Sequence, residues 1–288
     1  MSRKTMRGFT LIELIMVIII TGILAATLTI FLKPVIDGYF DTRRRADLTD
    51  IADTALRRMA KDIRSAVPNS IRSVSPTCFQ LVPTITGGRY RMASDTVNDT
   101  PAPLPCSPSA TCSAPLDVTQ ATTVFDVLSP VVTMPALNDW VVVDNQNAGD
   151  VYAVTNRARI SATPSAPTRP TDGLLRIAIA STQFPSGYDG GRFVVVPNAE
   201  KTVFYSCVGS TPSFTLYRTV ADFSANQAAT CIATSGAVVA TDIASCAFVY
   251  DPNQGATQQS GFVWMQLKLS RSGESVTLAH GVHVDNVP

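Results

Sequence analysis

The chain has 288 residues, 45% hydrophobic and 16% charged, which suits a folded core and excludes a charge-rich disordered chain. Its formal net charge is +1, so no global basic field marks a nucleic-acid binder, and no nucleic-acid partner is expected. The six cysteines contain no CxxC pair, which points away from zinc and thioredoxin-like sites. An even, scattered set fits disulfides in an oxidising compartment, with six buried thiols in a cytosolic core as the alternative.

The first eight residues carry Arg3, Lys4 and Arg7, and an apolar run with one charge follows from Phe9 to Leu32. As a helix this run spans roughly 36 Å, enough to cross a hydrocarbon core of about 30 Å. It is too long for the apolar core of an ordinary secretory signal. The small residue that would mark cleavage, Gly8, precedes the run rather than following it. The apolar segment is therefore expected to be kept. Its one charge, Glu13, costs on the order of 2.5–3.5 kcal/mol at a bilayer centre and less near the interface. Either it has a functional partner or it snorkels to the headgroups.

Basic residues lie on both sides of the run (Arg3, Lys4, Arg7 before; Lys33, Arg43, Arg44, Arg45 after), so charge alone does not choose an orientation. Lys33-Pro34 closes the run and is expected to kink the helix. Helical spacing then resumes. Leu48, Ile51, Ala52, Ala55, Leu56, Met59, Ile63 and Val67 form one stripe, and Asp50, Asp53, Arg57, Lys61 and Arg64 form the opposite face. Asp53–Arg57 is an i,i+4 pair, and Pro68 stops the helix. Arg43–Arg45 reads as a solvated face, with anionic headgroups or a neighbouring subunit as alternative contacts.

From Cys78 the period switches to two. Strands are predicted at 78–82, 124–128, 140–143, 151–155, 174–180, 193–196, 203–207, 214–218, 246–250, 263–269 and 276–284. Ser270–Ser275 is the expected hairpin turn between the last two. Pro-, Ser- and Thr-rich stretches at about 94–121 and 161–172 are loops that would divide the head into two lobes without being linkers between separate domains. The spacing expectation is α+β, with one long helix on a mostly antiparallel sheet. Six cysteines allow 15 connectivities. Cys106–Cys112 closes the shortest loop, Cys207–Cys231 closes the excursion after its strand, and Cys78–Cys246 would remain.

His280 and His283, the only histidines, fall on opposite faces of a strand and cannot share a metal. There is no HExxH, GxSxG or P-loop, so no enzyme activity, cofactor or metal site is expected. The Asp144–Asp150 cluster reads as turn chemistry rather than a Ca²⁺ loop, and Asp95–Asp99 is weaker still as a metal site.

The segment Gly8-Phe9-Thr10-Leu11-Ile12-Glu13-Leu14 resembles the cleavage and methylation signature of type IV prepilins and type II secretion pseudopilins. The resemblance covers about the first thirty residues. It implies cleavage between Gly8 and Phe9 by a prepilin peptidase on the cytoplasmic side and methylation of the new Phe9 amine. It also implies pairing of Glu13 with the Phe9 amine of a neighbouring subunit during assembly. Further partners implied are other major and minor pilins and an inner-membrane assembly platform. The localisation implied is a single-pass inner-membrane protein, N-terminus cytoplasmic and head periplasmic, that later enters a filament. A second likeness lies in Gly87–Arg91, Cys246–Asp251 and Gly281–Pro288, which are similar to O-type minor pilins of MSHA (mannose-sensitive haemagglutinin) systems. J-type minor pseudopilins and W-type minor pilins are also similar in scale. On that reading residues 1–8 are a leader, 9–33 a transmembrane helix and filament core, 34–67 an amphipathic helix, and 68–288 a β-rich head. The expected role is priming filament assembly or forming its tip. A tip adhesin using the Pro-rich loops and a membrane-anchored enzyme are the alternatives.

Overall fold

The computed structural model describes residues 8–100, 105–187, 190–226, 236–252 and 260–285. Helix α1 (Leu11–Arg64) runs unbroken for 54 residues, roughly 80 Å. It passes through Pro34 without ending. Thr10 caps the N-terminus, its hydroxyl accepting from the Glu13 amide at 3.3 Å. Ser65 closes the other end, its amide donating to Lys61 O at 3.1 Å, three residues before the predicted stop. The threonines in the apolar half satisfy themselves: the Thr21, Thr27 and Thr29 hydroxyls donate to carbonyls one turn back at 2.7–2.9 Å.

The second half of α1 buries Leu48, Ala52, Ala55, Leu56, Met59, Ala60 and Ile63, the face that the sequence stripe marks. They pack on a seven-stranded antiparallel sheet made of β1 (Arg72–Ser75), β2 (Cys78–Leu81), β9 (Thr202–Ser210), β10 (Ser213–Ala221), β11 (Ala237–Asp251), β12 (Ser260–Arg271) and β13 (Glu274–Asp285). The spatial order is β1-β2-β9-β10-β11-β12-β13. The fold is α+β, a long helix on an antiparallel sheet. Asp62 fastens the helix end, accepting from the Tyr205 hydroxyl and from Arg218 Nε, both at 2.8 Å. Ser272 and Gly273, at φ 52° and 88°, make the tight β12–β13 turn, a conformation glycine adopts without penalty.

Between β2 and β9 the chain builds a second unit: β3 (Thr86–Arg89), β4 (Thr122–Val127), β5 (Trp140–Val142), β6 (Arg157–Arg159), β7 (Leu175–Thr182) and β8 (Arg192–Val196). Ladders link β3-β8-β5-β6 and β4-β7. Single bridges, Ile160 to Ile179 and Tyr90 to Val127, join the two sets and close a six-stranded antiparallel barrel. Its interior holds Phe125, Val141, Ile177, Phe193 and Val195, with the Phe125 and Phe193 rings edge to face at 5.4 Å. The two units meet over Val67, Val82, Val142, Val151, Tyr152 and Val196. There the Arg157 guanidinium lies 3.7 Å from the Phe223 ring centroid and 4.8 Å from that of Trp140, and burial lowers its pKa to about 10.

Three expectations are corrected here. Residues 151–155 form no strand: Asp150–Tyr152 is a 3₁₀ turn, because the Asn145 side chain captures the Val151 amide at 2.8 Å and Tyr152 donates to Ser70 O. The Pro-rich stretches do not separate the two units, because their described residues lie on the barrel, over the outer side of β4 and β7. There Arg169 bridges Asp99 and Asp172, and Arg176 bridges Asp126 and Asp172.

The third correction is the disulfide pattern, which is Cys106–Cys112 and Cys207–Cys246, not Cys207–Cys231 with Cys78–Cys246. A register shift between Ile243 and Ser245, beside positive-φ Asp242, lets the rest of β11 reach the β1–β2 turn. There Phe248 N–H donates to Pro76 O at 2.7 Å and Cys207 N–H to Thr77 O at 3.0 Å, which brings Cys207 and Cys246 together. Cys231 lies outside the described residues, and Cys78 is buried beside Ser206.

Candidate functional site

The basic residues Arg3, Lys4 and Arg7 lie outside the described residues, so the site begins at Gly8. Gly8, Phe9 and Thr10 precede α1 as exposed, non-helical backbone. A peptide bond must be reachable to be cut, and the Gly8–Phe9 bond is exposed; nothing lies within 4 Å of where a Cβ on Gly8 would stand. Glu13 follows in the first helical turn. Its carboxylate sits at the positive end of the helix dipole, where an anion is favoured.

Beyond Glu13 the helix shows apolar side chains on every side. Phe9 is 82% exposed, Ile30 69% and Val35 71%, and no described residue before Leu48 is buried. A helix apolar all round has no solvated face to offer water. It needs lipid or other protein around it, and its most apolar window is long enough to span a bilayer. Tyr39 and Phe40, at 63% and 48% exposure, extend the apolar surface to the start of the charged segment. From there Arg44 pairs with Asp41 at 2.7 Å, Arg45 with Glu274 on β13, and Arg57 with Asp53 at 2.5 Å.

Thus the structure places Gly8, Phe9 and Glu13 within two turns of one another at the free end of α1. The described cysteines lie far along the chain in the two β units and take no part in that end. His280 faces α1 from β13, while His283 is on the other face against the Phe262 ring at 5.1 Å. Asp144, Asn145 and Asp150 are engaged in turn hydrogen bonds, and no group of three potential metal ligands occurs among the described residues. Sequence reasoning missed the ion-pair network of the buried carboxylates Asp99, Asp126 and Asp172, because only the folded loops bring Arg169 and Arg176 to them.

Residues 3–29, 27 of the chain's 288, match the family described as the prokaryotic N-terminal methylation motif. No curated protein and no solved structure matches the chain. The motif supports the type IV pilin and pseudopilin superfamily, whose members are structural proteins, and implies processing by a prepilin peptidase and assembly with pilins in the membrane. With one apolar N-terminal helix, the chain fits a membrane-anchored, single-pass protein.

Proposed function

We propose that this chain is a minor pilin or pseudopilin: it is cut between Gly8 and Phe9, methylated at Phe9, and inserted through α1 into a filament. The supporting observation is the apolar helix exposed on all sides with one carboxylate, Glu13, in its first turn. Two opposite charges in a low-dielectric bundle attract strongly, and a Phe9 amine from a neighbouring subunit would remove the burial penalty of Glu13. That pair would set the axial register. The orientation we assign is leader in the cytoplasm and β units outside the inner membrane, where Cys106–Cys112 and Cys207–Cys246 would form.

The size of the head favours a minor subunit that primes assembly or sits at the tip. The finer assignment to an O-type subunit of an MSHA system draws on Gly87–Arg91, Cys246–Asp251 and Gly281–Pro288, with a J-type minor pseudopilin as the alternative. A tip adhesin draws on one further observation: the Pro-rich loops are held in one arrangement by buried ion pairs, as a recognition surface requires. The test is Glu13→Ala. The variant is expected to be cleaved normally and to accumulate in the inner membrane while filament numbers fall to background. Undiminished filaments would overturn the assignment of Glu13. Deleting residues 161–172 separates primer from adhesin: intact filaments with lost attachment indicate the adhesin, and lost filaments count against it.

A further inference from the structure

β13 is one edge of the seven-stranded sheet. It pairs with β12 at twelve consecutive positions, Arg271–Glu274 to Ser260–Asp285, with no register shift. It contains no proline and no lysine. The opposite edge, β1, is four residues long and bulged between Ser73 and Ser75. Short, bulged edges resist strand pairing, and long regular ones invite it. Among the described residues no strand or backbone hydrogen bond covers the outer side of β13.

That edge opens on a cleft of about 510 Å³ between β13 and the last turns of α1, lined by Arg57, Lys61, Arg64, Ser65, Ala60 and His280. Arg57 is paired with Asp53, whereas Lys61 and Arg64 form no ion pair among the described residues. The cleft is thus basic along its roof, and the edge strand β13 contributes His280 to its wall. From Arg57 to Arg64 the roof runs roughly 10 Å, between the roughly 7 Å that separates neighbouring same-face residues of an extended strand and the roughly 13 Å that separates the next pair.

We propose that β13 and the C-terminal turns of α1 form a strand-addition site for an extended acidic segment of another chain, whose inward-facing carboxylates meet Lys61 and Arg64. Backbone bonds to β13 supply affinity, and alternate side chains supply selectivity. A second copy is a poor occupant, because pairing β13 with β13 about a two-fold axis would bring two Lys61–Arg64 clusters together. The site lies on the β-sheet unit and does not depend on the role assigned to Glu13 and Phe9.

The experiment uses the full chain in detergent micelles and a labelled peptide alternating glutamate and valine. It is expected to bind and to slow amide exchange along residues 276–284. Lys61→Glu combined with Arg64→Glu, both on exposed positions, is expected to weaken binding by about tenfold or more. A peptide of the same composition interrupted by prolines should not bind, because it cannot extend the ladder. Binding without exchange protection, equal binding of the proline or a lysine–valine peptide, or no binding overturns the proposal. A single-stranded oligonucleotide bound as tightly through the same two residues would also overturn it, by making the cleft a general polyanion surface.

Discussion

Asp126→Ala tests how the Pro-rich loops are held to the barrel. Asp126 is fully buried on β4 and accepts three hydrogen bonds: Arg176 Nε at 2.6 Å, Arg176 Nη2 at 2.9 Å and the Ala114 amide at 2.7 Å. Truncation leaves a buried amide without its acceptor, costing about 1–3 kcal/mol, and strips the partly buried Arg176 guanidinium of its main counter-charge. Breaking a buried pair from one side typically costs about 3–5 kcal/mol. Arg176 retains Asp172 at 3.4 Å and the carbonyls of Ser109 and Cys112, which places the expected loss toward about 3 kcal/mol. At a urea slope of about 1–3 kcal/mol per molar, the barrel midpoint falls by about 1–3 M. Trp140 reports the barrel and Trp264 the seven-stranded sheet, so Trp140→Phe and Trp264→Phe backgrounds read the units separately. The Trp140 transition should move and the Trp264 transition should move less. A shift below about 0.5 kcal/mol in the Trp140 signal would refute the reasoning, since that is the range of an ordinary exposed substitution.

Met59→Ala removes a fully buried side chain between α1 and the sheet and is expected to cost about 2–5 kcal/mol, read from the Trp264 transition. Acid should loosen the barrel loops in a defined window. Burial would raise the Asp99 pKa, but hydrogen bonds from the Ser113 hydroxyl and amide, from Arg169 and from the Asp95 amide outweigh it and hold it at about 2. A carboxyl depressed in the folded state stabilises above its unfolded pKa of about 4, and that stability is lost as pH falls through about 2. Asp99→Asn should flatten the pH dependence of loop proteolysis between those limits.

The helix was legible because both its signals are local: an uninterrupted apolar run, then a stripe of Leu48, Ala52, Ala55, Met59 and Ile63 at spacings of three and four. The β12–β13 hairpin was legible for the same reason, with Ser272-Gly273 between two alternating strands. The barrel was not. β3 reads Thr86-Gly-Gly-Arg and β6 reads Arg157-Ala-Arg, too short and too poor in branched residues to stand out. They are strands because neighbours at a distance of many residues complete them. A Cβ on Gly87 would come within 2.8 Å of the Phe193 carbonyl, so the close approach of β8 depends on glycine there. The disulfides divide in the same way. Cys106–Cys112 follows from a short loop, whereas Cys207–Cys246 depends on the bend of β11 at Asp242, which nothing in the local sequence announces.

The apolar half of α1 bounds what can drive its transfer on the proposed reading. Between Phe9 and Phe40 about twenty large apolar side chains are exposed, worth roughly 30–60 kcal/mol if left in water at about 1.5–3 kcal/mol each. That exceeds the 5–15 kcal/mol typical of a whole domain's stability, so the segment must pass from lipid to protein without meeting water. Lipid tails are as apolar as leucine, so the exchange gains little from these side chains. Their packing decides how tightly helices associate but does not single out one axial position, because a uniformly apolar cylinder fits its neighbours at many offsets. Glu13 is the one group between Phe9 and Leu32 whose electrostatic environment changes on transfer. An unpaired carboxylate there is penalised at every offset but the one that offers an amine, so a single charge can set the register that twenty apolar side chains leave open.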